Sequence, residues 1–544
     1  MSSPAPRSAV RRAILLCAGT SLLPGLLSGC MVGPDYHRPA AQVTERFKEA
    51  PPPPDGWQRA QPHLAELPRG EWWRLYGDPV LNRLEEQIDV SNQSIKASEA
   101  AFRQARALID EARANLFPTL SLGFSDTRSG SGGGAGRIST TTAGSSVGTT
   151  GLGGIGTGVG TGVGTGTSAV GTTVSVGGRA STTYQFQGSG SWDLDVWGQI
   201  RRQVESQVAA AQVSAAQLAS ARLSAQVDLA TYYFEMRYQD SLQALLNRFV
   251  DAYAETERIT RNEVSAGVAA PSDLLQAQTQ LAQTRAQAVA VGIQRAQYEH
   301  AIAVLTGHAP ADLSLSPAEL TPHIPEVPVT VASLLLQRRP DIAQAERAME
   351  EENALIGAAI AAFFPDISLS AAGGWAGDPL GSLIKVANRF WSLGASATEV
   401  LFNGGARTAE VRAARAAYDE SVANYRQTVL TAFQGVEDEL AALRILQQQA
   451  AAQEDAVKLA NQSVQVALNQ YQAGTTIYTT VITTQTTALS NAETALGIQQ
   501  SRIVASVNLI DQLGGGWDAS LLPSKNSLQT DNPLLPAFIQ RDKN

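Results

Sequence analysis

The fold is decided by residues 199–266, which read QIRRQVESQVAAAQVSAAQLASARLSAQVDLATYYFEMRYQDSLQALLNRFVDAYAETERITRNEVSA and contain neither Pro nor Gly. Residues 406–473 form a second run of the same length, with Gly435 as its only helix-weakening residue. Each run predicts one helix, roughly 100 Å long at 1.5 Å rise per residue. Because a pattern repeated at fixed length marks a repeated structural unit, we expect two copies of one unit in the chain.

Shorter helical stretches flank each long run. Residues 81–116 and 272–306 lie on either side of the first run, and residues 330–363 and 479–513 lie on either side of the second. In each repeat the two short stretches together are about as long as the long helix. This balance predicts a wall in which two short helices stack end to end against one long helix.

Each repeat also contains two predicted strands, which gives four strands at about residues 118–126, 183–197, 366–376 and 390–402. The second strand alternates most regularly, with Tyr184, Phe186 and Trp192 on one face and polar residues on the other. Strands of about ten residues with aromatic residues toward their ends are typical of a transmembrane β-barrel, although a soluble hairpin has a similar pattern.

Four strands are too few to close a barrel, because about eight is the observed minimum. Open strand edges are not tolerated inside a bilayer, where no water is available to pair the backbone. Either the hairpins are soluble, therefore, or several chains pool their strands. Three chains with four strands each would supply a barrel of 12.

The N-terminus indicates export and lipidation. Three Arg residues precede an apolar stretch, residues 13–27, which is too short for a spanning helix and is typical of a signal peptide. The stretch ends in Leu27-Ser28-Gly29-Cys30, which resembles the lipobox of bacterial lipoproteins, so Cys30 is the predicted lipidation site. Since Cys17 lies in the leader, the mature chain keeps one Cys and forms no internal disulfide.

Composition excludes several classes of function. The net charge of −9 makes nucleic acid an unexpected partner. The five His residues are scattered, so no metal site, cofactor or catalytic group is predicted and the chain does not read as an enzyme. The low Met count, four, argues against a protein specialised for copper.

The predicted domain organisation follows from these patterns. It comprises a signal peptide, an N-terminal periplasmic segment, two repeats and a C-terminal tail, at residues 1–29, 30–79, 80–325, 326–517 and 518–544. The first repeat carries an insertion between its two strands, at residues 129–178, which is rich in Gly, Thr and Ser. Such a composition cannot bury a core and predicts a flexible external loop.

Several motifs carry a family resemblance. Val32-Gly33-Pro34-Asp35 follows the lipobox, Trp72-Trp73-Arg74-Leu75 comes later, and Arg338-Arg339-Pro340-Asp341 opens the second repeat. In this order the motifs resemble the outer-membrane efflux proteins, in particular the NodT-type lipoprotein branch related to TolC and OprM. The resemblance implies a mixed α and β membrane protein: a homotrimer whose 12-stranded outer-membrane β-barrel is continuous with a long periplasmic α-helical barrel.

The resemblance also implies partners and a function. Such proteins, anchored in outer-membrane lipid, are passive exit ducts that dock onto a periplasmic adaptor and an inner-membrane pump, here expected to be of the RND type. They release small molecules such as drugs and use no cofactor. The adaptor-docking tips then correspond to the two helix-to-helix turns, Ala266, Gly267, Val268 and Ala473, Gly474, Thr475. Gly at such a turn also has a purely local explanation, because it reverses the chain with positive φ.

Relatives place Asp residues just beyond the tips, around the closed pore. Asp273 occupies such a position in the first repeat, whereas Thr480 and Thr483 occupy it in the second, so we expect a diluted acidic ring. Asp273 is also an ordinary residue for the start of a helix, which is an equally good explanation of its position. Two other functions share the predicted architecture: the exit duct of a type I protein secretion system, and a structural protein that spans the envelope without conducting.

Overall fold

The computed structural model describes residues 31–41, 43–44, 47–49, 70–129, 181–320, 323–325 and 334–529. The predicted signal peptide, Cys30 and nearly all of the predicted loop lie outside these residues, as does the tail beyond Gln529. The chain forms two compact units. A helical unit comprises residues up to Phe117 together with Asp195–Asp366 and the chain from Thr398 onward, and a strand unit comprises Pro118–Leu194 and Ile367–Ala397.

The helices of the described chain repeat in length as well as in order. The first repeat contains α1 (Pro79–Ser91), α2 (Gln93–Ala114), α3 (Gln199–Ser265) and α4 (Pro271–Leu305). The second contains α5 (Leu335–Arg338), α6 (Pro340–Ala361), α7 (Ala406–Gln472) and α8 (Tyr478–Gln512). The helices α2 and α6 have 22 residues each, α3 and α7 have 67, and α4 and α8 have 35.

The structure divides two stretches that the sequence suggested as continuous. The stretch 81–116 breaks at Asn92, whose backbone is extended and whose side-chain oxygen accepts from the backbone N–H groups of Ser94 and Ile95. Asn92 therefore ends α1 and caps α2, as an N-cap Asn commonly does. In the second repeat the break falls at Arg339, because the residue before a Pro is driven into extended conformation.

The strand unit is a four-stranded antiparallel sheet in the order β1-β2-β3-β4. Its strands are β1 (Thr119–Ser129), β2 (Ser181–Leu194), β3 (Asp366–Gly377) and β4 (Arg389–Thr398). The strands β2 and β4 end before the predicted bounds at 197 and 402. Asp195 explains the first difference, because its carboxylate accepts from the N–H groups of Ile200 and Arg201 at the start of α3.

Apolar residues on the sheet are largely exposed. Leu120 and Leu122 of β1 are 85% and 72% exposed, and Trp391 and Leu393 of β4 are 70% and 75% exposed. Their alternation with Ser and Thr gives β1 one apolar and one polar face. Among the described residues, the strands β1 and β4 are the two edges of the sheet, and each pairs on one side only.

The helical unit is built around α3, which packs against α2, α4, α6 and α8, while α7 packs against α6 and α8. Its largest core lies where Trp72, Trp73 and Tyr76 meet Tyr233 and Phe234 of α3. Both Trp residues of the family-like motif are thus buried core residues. Among the described helices, none combines the length and apolarity needed to cross a membrane.

The motif at the start of α6 also has a structural explanation. The Arg339 guanidinium pairs with Asp341 at 2.7 Å and donates to the backbone carbonyl of Gln512, also at 2.7 Å. It therefore ties the beginning of α6 to the end of α8. Gly514, which follows α8 at φ 90°, lies so close to the Arg338 carbonyl that a Cβ atom would stand 2.0 Å from its oxygen.

Candidate functional site

The candidate site consists of two turns, which we call the first tip (residues 266–268) and the second tip (residues 473–475). Gly267 and Gly474 have φ values of 73° and 70°, the left-handed conformation that favours Gly. At the first tip the N–H groups of Gly267 and Val268 donate to Val264 and Glu263 at 3.0 and 2.9 Å. This pairing is a Schellman motif, which uses the last carbonyls of the helix to close it.

The second tip repeats the motif. The N–H groups of Gly474 and Thr475 donate to Tyr471 and Gln470, each at 2.9 Å. The Thr475 hydroxyl adds a bond to the Gln470 carbonyl at 3.0 Å. Equal backbone pairing at the ends of helices of equal length shows that the two tips are corresponding parts of the two repeats.

Both tip glycines point into open space, because a Cβ atom built on Gly267 or on Gly474 has no neighbour within 4 Å. All six predicted tip residues are exposed. Val268 is 80% exposed, and Ile477, two residues beyond the second tip, is 71% exposed. Apolar side chains left in solvent on a rigid turn suit contact with a partner protein.

A hydrogen bond joins the ends of the two long helices. The Tyr471 hydroxyl, on α7, donates to the carboxylate of Glu263, on α3, at 2.8 Å. Burial, the bond to Glu263 and the charge of Asp273 raise the pKa of Tyr471 above its ordinary value. The hydroxyl therefore stays protonated and can donate throughout the physiological pH range. The sequence analysis did not single out either residue, because their partnership spans 208 positions.

An apolar cluster lies beneath the second tip. Tyr478, at the start of α8, is buried with Ala277, Ala467 and Val481, and its ring meets that of Tyr471 edge to face at a centroid distance of 5.3 Å. Burial raises the pKa of Tyr478 to about 12, and the charge of Asp273 adds to the shift. The cluster draws residues from both repeats, so it packs the two tips against one another.

The stretches of sequence that flank the two tips differ in charge. Residues 459–492, around the second tip, contain no Asp, Glu, Lys, Arg or His. The corresponding residues around the first tip, 252–285, carry seven charged side chains: Glu255, Glu257, Arg258, Arg261, Glu263, Asp273 and Arg285. The stretch after the second tip is rich in Thr instead, with eight Thr between residues 475 and 487. A count of charged residues along the two repeats would have found this asymmetry.

The three pore candidates lie in the first turn of α4 and the first two turns of α8. Asp273 is half-buried, and its N–H donates to the Ala270 carbonyl at 3.0 Å. It lies in the first turn of α4, at the positive end of the helix dipole. The Thr480 hydroxyl bonds that of Thr476 at 3.2 Å, and the exposed Thr483 donates to the Thr479 carbonyl at 2.9 Å. Within one chain, both Thr hydroxyls are thus satisfied inside α8 or next to it, and their role at a pore stays a prediction.

No group of three or more potential metal ligands occurs among the described residues. The predicted lipidation site, Cys30, lies just before the first of them, Met31.

Comparison with known proteins gives a consistent result. The family model for outer membrane efflux proteins matches residues 84–308 and 331–515. The efflux pump outer membrane protein TtgC of Pseudomonas putida is 29% identical over 497 residues, which cover 90% of this chain and 94% of TtgC. SrpC of Pseudomonas putida, a solvent efflux pump outer membrane protein, is also 29% identical, over 91% of this chain and 97% of SrpC.

Solved structures show the same fold. The outer-membrane channel OprN matches with a TM-score of 0.74 and 26% identity, over 90% of this chain and all of OprN. The predicted fold class, a mixed α and β membrane channel, is confirmed by this likeness.

The family match also covers most of both repeats, and it agrees with the order of the motifs on which the resemblance was based. The protein is an outer-membrane exit duct for efflux that extends into the periplasm, and it is not an enzyme. The chain belongs to the outer membrane efflux protein family.

Proposed function

We propose that this protein is the exit duct of a tripartite efflux system with an RND-type pump, and that it conducts drugs and other small molecules passively. The observation that carries the proposal is the pair of Schellman turns. One turn joins α3 to α4 and the other joins α7 to α8, which have the same lengths, and the turns leave Val268 and Ile477 exposed. Relatives that match over nearly their whole length are named as antibiotic, toluene and solvent efflux proteins.

The tips are the proposed docking surface for a periplasmic adaptor. A docking surface benefits from a backbone that is ordered before binding, because less conformational entropy is then lost on association. The Schellman bonds and the Tyr471–Glu263 pair supply that order at the ends of α3 and α7. The adaptor then contributes the complementary surface, and the pump behind it selects the substrate.

The proposed assembly is a homotrimer. The edges of the sheet, β1 and β4, each have an unpaired side, which in a bilayer would leave backbone N–H and C=O groups without partners. Pairing β4 of one copy with β1 of the next removes both edges, and three copies close a barrel of 12 strands. Native mass spectrometry in detergent should therefore give a mass of three subunits, and a stable monomer or dimer would contradict the assembly.

Cys30 is the proposed site of lipid attachment. Replacing Cys30 with Ser should abolish labelling by radioactive palmitate. Because a β-barrel holds the protein in the membrane independently of a lipid, part of the efflux function should survive the substitution. Persistent labelling of the Ser variant would show that the lipid is attached elsewhere.

Site-directed cross-linking tests the docking proposal. The mature chain has one Cys, the predicted acylated Cys30, so an introduced Cys is the only free thiol. Variants Val268→Cys and Thr475→Cys should form cross-links to the adaptor in cells. Val289→Cys is a matched control, because Val289 is 78% exposed and lies on α4 about 20 residues from the first tip.

Three outcomes decide between the functions. An efflux duct is supported if both tips cross-link to the adaptor and if deletion of the gene lowers drug resistance. Cross-links at Val289 but not at the tips contradict docking at the tips. If the deletion stops export of a protein and leaves drug susceptibility unchanged, the duct serves secretion instead.

A further inference from the structure

We propose that a pocket beside Met31 holds an acyl chain of the lipid on Cys30, so that the anchor is seated in the protein rather than spread wholly in the bilayer. The proposal rests on the lipidation proposed above. The pocket has a volume of about 420 Å³, within the range of about 300–1,000 Å³ that is usual for ligand sites. Its apolar wall is formed by Met31, Leu116, Val204 and Val208.

The chain next to Cys30 is held firmly at this pocket. The Val32 N–H donates to the Trp197 carbonyl at 3.1 Å. Arg202, whose side chain is 1% exposed, donates to the carbonyls of Val32 and Gly33 at 3.2 Å each. Since consecutive Cα atoms are about 3.8 Å apart, a lipid on the residue before Met31 starts beside the pocket.

Close backbone contacts fix the same segment further. Gly33 has a φ of 103°, and a Cβ atom on it would stand 2.4 Å from the Cα of Gly357 in α6. A Cβ atom on Gly198, just before α3, would stand 2.8 Å from the Met31 side chain. The segment therefore has one position against α3 and α6, and Met31 is kept at the pocket mouth.

The C-terminal tail completes the pocket. Leu528 is 4% exposed and packs against Val204, Val208 and Ile109. Gln212 donates to the Pro523 carbonyl at 2.9 Å, which holds the tail along α3. Lys525, in the same part of the tail, lines the pocket. Met31 and residues 523–528 thus meet at this site.

Charge decides which lipid fits. The cations around the pocket are Arg113, Arg201 and Lys525. Arg113 pairs with Asp110 at 3.9 Å and Arg201 pairs with Asp195 at 3.0 Å. Lys525 pairs closely with Glu350 and also lies 4.0 Å from Glu205. A phosphate would have to compete with these carboxylates, whereas a neutral acyl ester leaves the ion pairs intact. The acyl chain of Cys30 is therefore the better occupant than the headgroup of a phospholipid.

A photoreactive fatty acid tests the proposal in the whole protein. Cells are grown with a palmitate analogue that carries a diazirine and an alkyne, irradiated, and the labelled peptides of the purified protein are identified by mass spectrometry. We expect Cys30 to carry the analogue and cross-links to form within residues 113–116 and 201–208. Cross-links found only on bilayer lipids or elsewhere on the protein would overturn the proposal.

Two Leu variants separate the pocket from its surroundings. Leu116→Asp puts a charge into the apolar wall and should lower the yield of pocket cross-links by roughly tenfold. Leu108→Asp is the control, because Leu108 is 41% exposed on α2, close before the turn that carries Leu116, and does not line the pocket. Equal yields in the two variants would contradict the assignment. Trimers in the outer membrane are counted in both, so that loss of folding is recognised.

The remaining outcomes are also distinct. A phospholipid that carries a diazirine can be tested on the Cys30→Ser variant, which has no lipid of its own. If this phospholipid labels the pocket of the variant, and the acyl chain on Cys30 does not label the pocket of the unmodified protein, the pocket belongs to a bilayer lipid and the proposal fails. If Cys30 carries no analogue at all, both the lipid anchor and the seated chain are wrong. Drug susceptibility of the same cells measures efflux separately. A failure of the proposed efflux function can therefore be distinguished from a failure of the lipid proposal.

Discussion

The two tips have the same backbone and different chemistry. Both end a 67-residue helix, both close in a Schellman motif, and their glycines differ in φ by only 3°. The sequence that flanks the first tip, residues 252–285, contains seven charged side chains, whereas the 34 residues that flank the second tip, 459–492, contain none. A Schellman motif needs only a Gly and the last carbonyls of a helix, so it places no demand on the side chains nearby. The backbone of a repeat can therefore persist while its two surfaces acquire separate tasks.

The largest effect is expected at the tip glycines. Replacing Gly474 with Leu should abolish efflux and leave folded trimers in the membrane, since its Cβ has open space and the change is confined to an exposed turn. The left-handed backbone costs a non-Gly residue roughly 1–2 kcal/mol, which a large assembly tolerates. Efflux is measured as drug susceptibility, and trimers are counted by outer-membrane fractionation.

The same substitution at Gly267 sharpens the comparison. If both tips dock equally, Gly267→Leu should have the same phenotype, whereas a milder effect would assign most of the docking to the uncharged tip. Gly474→Ala and Gly267→Ala are the controls, because they carry the same backbone strain without the bulk. Loss of trimers in Gly474→Leu would show that this glycine is needed for folding instead.

The next effect concerns cation block. Replacing Thr480 with Asp puts a carboxylate beyond the second tip at the position that Asp273 occupies beyond the first. The trimer would then present six carboxylates at this level instead of three. We expect a trivalent cation such as hexamminecobalt to block conductance roughly tenfold more tightly, because the added carboxylates attract the cation and salt screens most of that attraction. Asp273→Asn should weaken the block. Equal block in all three proteins would mean that these positions do not face the pore.

A smaller effect is expected at the bond between the tips. Tyr471→Phe removes the donor to Glu263 and should lower the free energy of local opening by roughly 1–3 kcal/mol. Hydrogen exchange of residues 257–275 and 467–482 measures this opening. Tyr36→Phe is the control, because the buried Tyr36 hydroxyl has no hydrogen-bond partner within the described chain. Unchanged exchange in Tyr471→Phe would mean that the tips hold together by packing alone.

The smallest effect is expected at an exposed ion pair on α3, before the first tip. Glu255 and Arg258 pair one turn apart, with side chains that are 56% and 62% exposed. Exposed pairs of this kind contribute little, because water screens them. Glu255→Gln should therefore leave the thermal midpoint and drug resistance unchanged. A measurable loss of either would give the charges of the first tip a role beyond solvation.

Sequence patterns were sufficient for the repeats because these patterns are local. The absence of Pro and Gly over residues 199–266 and 406–473 predicted two helices that the structure ends one residue earlier. The break at Asn92 was missed, because a capping Asn is an ordinary polar residue until its partners are known. The end of β2 was misjudged for the same reason, because alternation continues at Asp195 while its carboxylate already caps α3.

The chemistry of the candidate site was less accessible from the sequence. The tip glycines follow from their position at the end of a helical run, and the structure places all six tip residues on exposed turns. The Tyr471–Glu263 bond and the pocket beside Met31 each join residues that are far apart in the chain. Contacts of that kind depend on how the helices pack, which no local pattern encodes.

Equal helix lengths make the repeats intolerant of insertions and deletions. One residue added inside α3 would turn everything beyond it by about 100° and advance it by 1.5 Å, so the first tip would face a new direction while the second did not. Only a matching insertion in α7 could restore the relation between them. The connection between β1 and β2 has no such restriction, and the two repeats differ freely there: 51 residues join β1 to β2, whereas 11 join β3 to β4. Chain length in this protein is thus constrained where helices run side by side, and unconstrained where strands turn.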